Sequence, residues 1–253
     1  MINVYYGPYA SHPALFTWEP LEPLVKSIKE HHEQIGETTM AKCPSFLMEM
    51  RNTFVIKSPH NAILRKRGDE GSNIPPTWQI DNAVNANIAF GTPLFHDRDQ
   101  TWEDESHILN GAPEKIHSIT AQTYANGFYT FFADKSLLMT MTPPYLHHGK
   151  IFGIAGSFDI GKWFRPLSVA THILDDRRIS IRKGEPLAYI RFQTTEKVKL
   201  NIVHWNDEAE RVAAGTMSSK NFYSVKGLDA LYRSFVGLGM RKKLLRLAKQ
   251  SMP

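Results

Sequence analysis

The sequence predicts an α+β protein that is predominantly β, with a β-sandwich or β-clip-like core and a helix at each end. Three observations support this class. Between Gly153 and His204, short apolar runs are separated by turn residues, which is typical of a sheet. The segments near both ends instead have apolar residues at helical spacing. Helices on either side of a β-rich middle make a single domain over residues 1–253 the simplest organisation.

The clearest strand signal lies around residues 179–192. Ile179 and Ile181 alternate with polar residues, as expected of a strand with one face in water. The turn that follows contains Gly184, which can adopt the positive φ that tight turns often need. In the next strand, PLAYIRF, both faces are largely apolar. Because such a strand is buried on both faces, it predicts a layered core.

Other stretches of the middle are predicted as strands from their β-branched and aromatic content. They are SFLMEM, NTFVIKSP, KIHSITAQTY, GFYTFFADKSLLMTMTPP, KIFGIAGSFD and KVKLNIVH. Residues 65–76 are rich in charge, glycine and proline, and residues 91–113 are irregular with an acidic cluster. We therefore expect exposed loops at these two places.

Helical spacing marks both ends of the chain. Apolar residues recur from Leu21 to Ile35 with polar residues between them, and Gly36 is placed to end a helix. Near the other end, residues 228–250 are predicted as a basic amphipathic helix with a glycine-containing break at 236–239.

The composition is that of an ordinary globular protein, with 42% apolar and 22% charged residues. No apolar run approaches the roughly 20 residues that a membrane span needs, and the first residues lack the pattern of a secretory signal. Cys43 is the only cysteine, which excludes an internal disulfide and a four-thiolate metal site. We expect Cys43 to be a packed small residue.

The net charge of +5 comes from one end of the chain. Of the 30 basic residues, six lie between 233 and 253 with no acidic residue, which leaves 24 against 25 acidic residues elsewhere. The terminal helix is therefore a candidate contact for an anionic partner, through Arg241, Lys242, Lys243, Arg246 and Lys249. The alternative is a docking helix that buries its leucines, in its own chain or in another subunit, and leaves its lysines in water.

Two groups of residues are candidate metal ligands. His147 and His148 follow two prolines in a predicted loop, where a histidine pair can bind a transition metal. Residues 96–107 contain seven histidine and carboxylate side chains, which suit a hard cation. This stretch lacks the glycine and the spacing of a calcium loop, so a solvated acidic loop is the alternative.

Motifs of several enzyme classes are absent from the sequence. It contains neither GxxxxGK[ST] nor GxGxxG for nucleotide phosphates, and no GxSxG nucleophile elbow. The sequence therefore identifies no catalytic residue, and we predict no cofactor.

The segment 159–165 is the candidate ligand-binding site. Asp159, Lys162, Trp163 and Arg165 place a carboxylate, two cations and an aromatic ring close together in sequence. An aromatic residue beside an arginine can stack on a ligand or bind an anion. The alternative is that these residues anchor a strand end, with Arg165 held by a carboxylate such as Asp159.

Over residues 153–204 the chain resembles the β-clip fold of dUTPases and dCTP deaminases. Asp159 with Gly161 stands where these families carry an aspartate hairpin that holds the nucleoside, and Gly184 lies in a turn similar to their late hairpin. The resemblance implies nucleotide binding or hydrolysis, with Asp159 against the base or sugar and Arg165 near phosphate. The families' serine- and glycine-rich phosphate loop has no counterpart here, so pyrophosphate cleavage lacks evident electrostatic support.

The chain as a whole resembles uncharacterised conserved proteins of tailed phages in the texture of KCPSF, NTFVIKSP and FDIGKWFRP. Our first expectation is a non-enzymatic, phage-encoded structural, assembly or binding protein that acts as a homo-oligomer, in the host cytoplasm or the virion. One alternative is a nucleotide-binding or nucleotide-hydrolysing protein with a dUTPase-like fold. The other is a metal-dependent enzyme that uses His147, His148 and carboxylates from the acidic loop at 96–107.

Overall fold

The structure is a computed structural model of the 253-residue chain. It describes residues 1–7, 20–35, 42–58, 62–67, 77–81, 118–124, 129–147, 152–153, 156–165, 167–174, 179–222 and 227–252. The predicted acidic loop at 91–113, most of the predicted loop at 65–76, and His148 lie outside the described residues.

Within these ranges the chain alternates strands and helices. The strands are β1 (Ile2–Gly7), β2 (Glu22–Pro23), β3 (Thr53–Lys57), β4 (Ala62–Arg67), β5 (Thr77–Asp81), β6 (Ser118–Tyr124), β7 (Thr130–Ala133), β8 (Leu138–Thr142), β9 (Phe152–Gly153), β10 (Gly156–Asp159), β11 (Ser168–Leu174), β12 (Ile179–Ile181), β13 (Pro186–Phe192) and β14 (Val198–Ile202). The helices are α1 (Leu24–Ile35), α2 (Pro44–Glu49), α3 (Asp207–Phe222), α4 (Leu228–Gly237) and α5 (Met240–Gln250). More of these residues lie in strands than in helices, so the predicted α+β class with a β majority is confirmed.

None of these helices, in the part of the chain that is described, has both the length and the hydrophobicity that a membrane crossing requires.

Two sheets organise the described core. In the first, β1 lies between β14, to which it is parallel, and β7, to which it is antiparallel. The second is antiparallel, with five strands in the order β10-β8-β13-β3-β2. Two further groups of strands have the orders β6-β11-β9 and β12-β4-β5.

Strand periodicity explains how both faces of the first sheet are buried. Alternate residues of β1, from Ile2 through Val4 to Tyr6, join an apolar cluster with residues of the second sheet such as Ile190 and Phe192. The intervening Tyr5 points the other way and joins a second cluster with the C-terminal helices. Burial of each such side chain contributes about 1.5–3 kcal/mol. The assignment of this arrangement to a β-sandwich or β-clip fold stays a prediction.

The second sheet packs against α1 on its other face. Leu24 and Ile28 of α1, four residues apart, form a cluster with Val55 of β3 and Tyr189 of β13. The helix predicted from the Leu21–Ile35 periodicity is confirmed over Leu24–Ile35, while Glu22–Pro23 form β2 instead of its first turn.

The three C-terminal helices cover the first sheet from the opposite side. Leu244 and Leu247 of α5 are buried in the cluster that contains Tyr5, Phe132 and Trp205. The predicted break in the terminal helix is confirmed, because α4 ends at Gly237 and α5 begins after Gly239, whose φ is +71°. The leucine stripe of α5 therefore docks on its own chain.

The segment SFLMEM, predicted as a strand, is wrong because it belongs to α2. Pro44 occupies the first turn, where its missing N–H costs nothing, and the Met50 amide donates to the Phe46 carbonyl at 2.9 Å. Phe46 and Met50, at helical spacing, pack against the cluster of α1. Cys43, expected to be packed, is exposed just before this helix.

The turn and strand predictions around Gly184 are confirmed. Gly184 has a φ of +84° between β12 and β13, and β13 is buried on both faces over most of its length. One loop prediction is partly wrong: β4 extends to Arg67, so residues 65–67 pair with β5 instead of forming a loop.

Candidate functional site

A cavity of about 380 Å³ lies between α3, α4 and α5, with Trp163 at its base. This volume falls within the range of small-molecule and side-chain pockets, about 300–1,000 Å³. Among the residues predicted as a ligand site, Trp163 is the one that lines this cavity.

The floor of the cavity is apolar. It is formed by Trp163, Val212, Leu231 and Phe235, each of which is buried. The Trp163 ring contacts the ring of Tyr232 with a centroid distance of 6.1 Å and that of Phe235 at 6.2 Å. These edge-on and tilted contacts pack the indole of Trp163, which follows β10 in the chain, against α4.

The mouth of the cavity is cationic. Arg211 and Lys243 line it, and no carboxylate side chain is among its described lining residues. Lys243 Nζ lies 2.9 Å from a Glu208 carboxylate oxygen, so its position is fixed by a salt bridge between α3 and α5. The hydrogen bond from Lys243 is the main reason why the pKa of Glu208 is below its ordinary value.

Asp159 has its carboxylate occupied by its own chain. One oxygen accepts hydrogen bonds from the backbone amides of Leu137 (3.0 Å) and Gly161 (2.9 Å). The other accepts from the Ser136 hydroxyl and lies 3.0 Å from Lys162 Nζ. Burial by itself raises the pKa of Asp159, but these donors outweigh it and lower the pKa overall. The geometry gives this carboxylate a structural role in joining the β10 turn to the residues before β8.

Lys162 and Arg165, which were also predicted for the ligand site, have different partners in the structure. The ion-pair partner of Asp159 is Lys162, while the Arg165 guanidinium lies over the Phe158 ring, 5.6 Å from its centroid. The backbone amide of Asp159 donates to the Tyr232 hydroxyl at 2.9 Å, which links this turn to α4 and to the wall of the cavity.

The five cations predicted to contact an anionic partner divide into two sets. Three are held by the chain itself: Arg241 donates to the Asp134 carbonyl, while Lys243 and Arg246 lie 2.9 and 3.8 Å from Glu208. The other two, Lys242 and Lys249, have exposed side chains. Of the five, only Lys243 lines the cavity.

His147, one of the two predicted metal ligands, has hydroxyl groups near both ring nitrogens. Nε2 lies 2.9 Å from Ser27 Oγ, and Nδ1 lies 2.6 Å from the Tyr189 hydroxyl. The His31 ring is 5.3 Å away between centroids. Within the described part of the chain, no group of three or more histidine, cysteine or carboxylate side chains is arranged to hold a metal ion.

The sequence analysis missed α3, which supplies one wall of the cavity. A signal for it exists, since Asn206 accepts a hydrogen bond from the Ala209 amide at 3.1 Å, as a helix N-cap residue does. The first turn then carries Asp207, Glu208 and Glu210, which favour a helix N-terminus.

Comparisons of the chain with protein-family models, curated proteins and solved structures found no match.

Proposed function

We propose that the protein is a non-enzymatic binding protein that acts in an assembly, as an oligomer, and that contacts its partners with the C-terminal helices. The observation that carries this proposal is the cavity between α3, α4 and α5, with its apolar floor and its cationic mouth. Recognition sites commonly combine a buried apolar pocket with a few placed polar groups.

Exposed apolar side chains on α4 support the oligomeric part of the proposal. Leu228 is 48% exposed and Val236 is 42% exposed, and neither belongs to the lining of the cavity. An apolar side chain exposed on one chain can be buried against a second copy, and this is the contact that we propose for Leu228 and Val236.

The other functional hypotheses gain less support from the described residues. The Asp159 carboxylate, which would face a nucleoside, is bound by four donors of the chain. The metal hypothesis depends on His148, which lies outside the described residues. The tailed-phage origin and a host-cytoplasm or virion location rest on the texture of the sequence and stay predictions.

Sedimentation velocity over a hundredfold concentration range tests the oligomer. We expect a mass above the 28.8 kDa of one chain for the wild type, and a shift toward that value for the double variant Leu228→Gln/Val236→Gln. Met48→Gln is the matched control, since Met48 is a 77% exposed apolar residue of another helix, α2. A wild type that stays at 28.8 kDa at every concentration would refute the oligomeric proposal.

A further inference from the structure

The cavity has a charge pattern that selects its occupant. Both charged side chains of its described lining, those of Arg211 and Lys243, are cationic, and with the Glu208 carboxylate that pairs with Lys243 they leave one net positive charge. The floor beneath them is made of buried apolar side chains, with Trp163 only 3% exposed. An occupant that satisfies both parts must therefore join an apolar group to negative charge.

The rim of the cavity indicates a peptide. Leu238 lines the cavity and is 69% exposed, so an apolar side chain extends from the cavity into solvent. A small molecule held within the cavity would leave this outer surface in water. A polypeptide that inserts one side chain would cover the rim with its flanking residues, as is usual for an anchor side chain at a protein interface.

We infer that the cavity binds an acidic peptide segment of a partner protein, with one large aromatic side chain inserted over Trp163 and acidic residues facing Arg211 and Lys243. The aromatic group would pack on Trp163 and Phe235, whose rings meet in a tilted contact and both line the cavity. The inference deepens the proposed binding function, and it depends on the cavity and not on self-association.

Gly215 allows the cavity to be filled without removing any charge. It lies in the middle of α3, it lines the cavity, and a Cβ built on it would have no atom within 4 Å. Leucine is also a better helix former than glycine, so Gly215→Leu is expected to fold. Gly156→Leu is the matched control, because Gly156 lies in β10, is exposed, has equal space for a side chain and does not belong to the lining.

The cations can be tested with a second matched pair of variants. Arg211→Gln/Lys243→Gln removes the two positive charges of the mouth. Lys242→Gln/Lys249→Gln removes two charges from exposed positions of the same helical region, outside the cavity. Both variants change the net charge by the same amount, so a difference between them reports position and not total charge.

The probe is a short synthetic peptide with one central tryptophan flanked on both sides by aspartate and glutamate, which has the required chemistry. Its binding to the full-length protein is measured by fluorescence anisotropy of a label on the peptide. Two altered peptides accompany it: one has alanine in place of tryptophan, and the other has asparagine and glutamine in place of the acids.

We expect the parent peptide to bind the wild type and the Gly156→Leu protein equally. Gly215→Leu and Arg211→Gln/Lys243→Gln should each weaken binding at least tenfold, and Lys242→Gln/Lys249→Gln less than twofold. Both altered peptides should bind the wild type at least tenfold more weakly than the parent. Binding should also weaken as salt is raised, because the mouth is exposed to solvent.

Several outcomes would overturn the inference. These are no binding of the parent peptide to the wild type, equal binding by Gly215→Leu, or equal binding of the tryptophan-free peptide. Indole-3-acetate that binds the cavity as tightly as the peptide would make the occupant a small organic anion instead. If Gly215→Leu abolished self-association and the wild type bound no peptide, the cavity would be assigned to a second copy of the chain. The proposed assembly function would then still stand.

Discussion

Replacement of Asp159 separates a structural role for this residue from a ligand-binding role. In the wild type, two carboxylate oxygens accept hydrogen bonds from two backbone amides and a hydroxyl, and pair with Lys162. Asp159→Asn keeps an oxygen for the amides of Leu137 and Gly161, and its NH₂ group can donate to Ser136 Oγ. It loses the negative charge that strengthens these contacts and that pairs with Lys162. Asp159→Ala leaves both buried amides without an acceptor.

The magnitude follows from these contacts. Hydrogen bonds to a charged group contribute about 1.5–3 kcal/mol against about 1 kcal/mol for neutral ones, and the Lys162 pair adds little because Lys162 is 39% exposed. We therefore expect Asp159→Asn to lower the free energy of unfolding by about 2 kcal/mol. Asp159→Ala should lower it by about 4 kcal/mol, since each buried amide left unsatisfied costs about 1–3 kcal/mol. For a chain of this size these values correspond to Tm decreases of about 4–8 and 8–16 °C.

Urea denaturation and thermal melts at several pH values measure the effect. Because the folded-state pKa of Asp159 is lowered, its ionised form stabilises the protein above its unfolded pKa of about 3.9, and this contribution is lost as the pH falls through the folded pKa. The wild type and Asp159→Asn should thus differ by a constant amount from pH 7 to pH 5 and converge below about pH 4. A variant as stable as the wild type at pH 7 would refute the structural role. If it also lost a thermal shift given by a nucleotide, the dUTPase-like hypothesis would gain support.

Four further substitutions and one deletion test other parts of the fold. In a urea titration, Gly161→Ala should destabilise the protein by about 3 kcal/mol or more, because its Cβ would lie 2.0 Å from the Lys135 carbonyl oxygen. A Cβ on Gly156 would have no atom within 4 Å, so Gly156→Ala should be neutral or slightly stabilising. Leu247→Ala should lower the free energy of unfolding by about 2–5 kcal/mol, since Leu247 is buried under the first sheet. Deletion of residues 240–253 should abolish cooperative unfolding monitored by circular dichroism. A deletion variant with a wild-type melt would contradict the docking of α5 on its own chain. Tyr189→Phe should lower the free energy of unfolding by about 1–3 kcal/mol, because the Tyr189 hydroxyl accepts a hydrogen bond from the Leu146 amide and lies 2.6 Å from His147 Nδ1. An unchanged urea midpoint would show that these contacts add nothing to stability.

The elements that sequence analysis predicted correctly are those with a strong local pattern. The apolar residues of α1 repeat at the helical period, and β13 is a short, nearly continuous apolar run bounded by a turn, so neighbouring residues are enough to identify both. The segment of α2 is short, and its apolar residues fit a strand as well as a helix. Its helical state is decided by Pro44 in the first turn and by the packing of Phe46 and Met50 on α1.

The cavity could not be predicted because it depends on contacts between distant elements. Gly215 of α3 and Ala230 of α4 are small residues whose neighbours in sequence do not indicate a cavity, yet both line this cavity. The role of Asp159 was obscure for the same reason, since its partners Ser136 and Leu137 come from a turn more than twenty residues earlier. The sequence did single out Trp163, through its position beside charged residues after a turn.

The parallel pairing of β1 with β14 has a consequence for the order of folding. The register joins Ile2 to Val198 and Tyr6 to Ile202, while the other neighbour of β1 is β7 at residues 130–133. β1 is therefore synthesised long before β14, its parallel partner. Contacts of such large sequence separation form slowly, and an unpaired strand edge invites association in the meantime. The yield of native protein should accordingly respond to translation speed and to chaperones that bind exposed strands during synthesis.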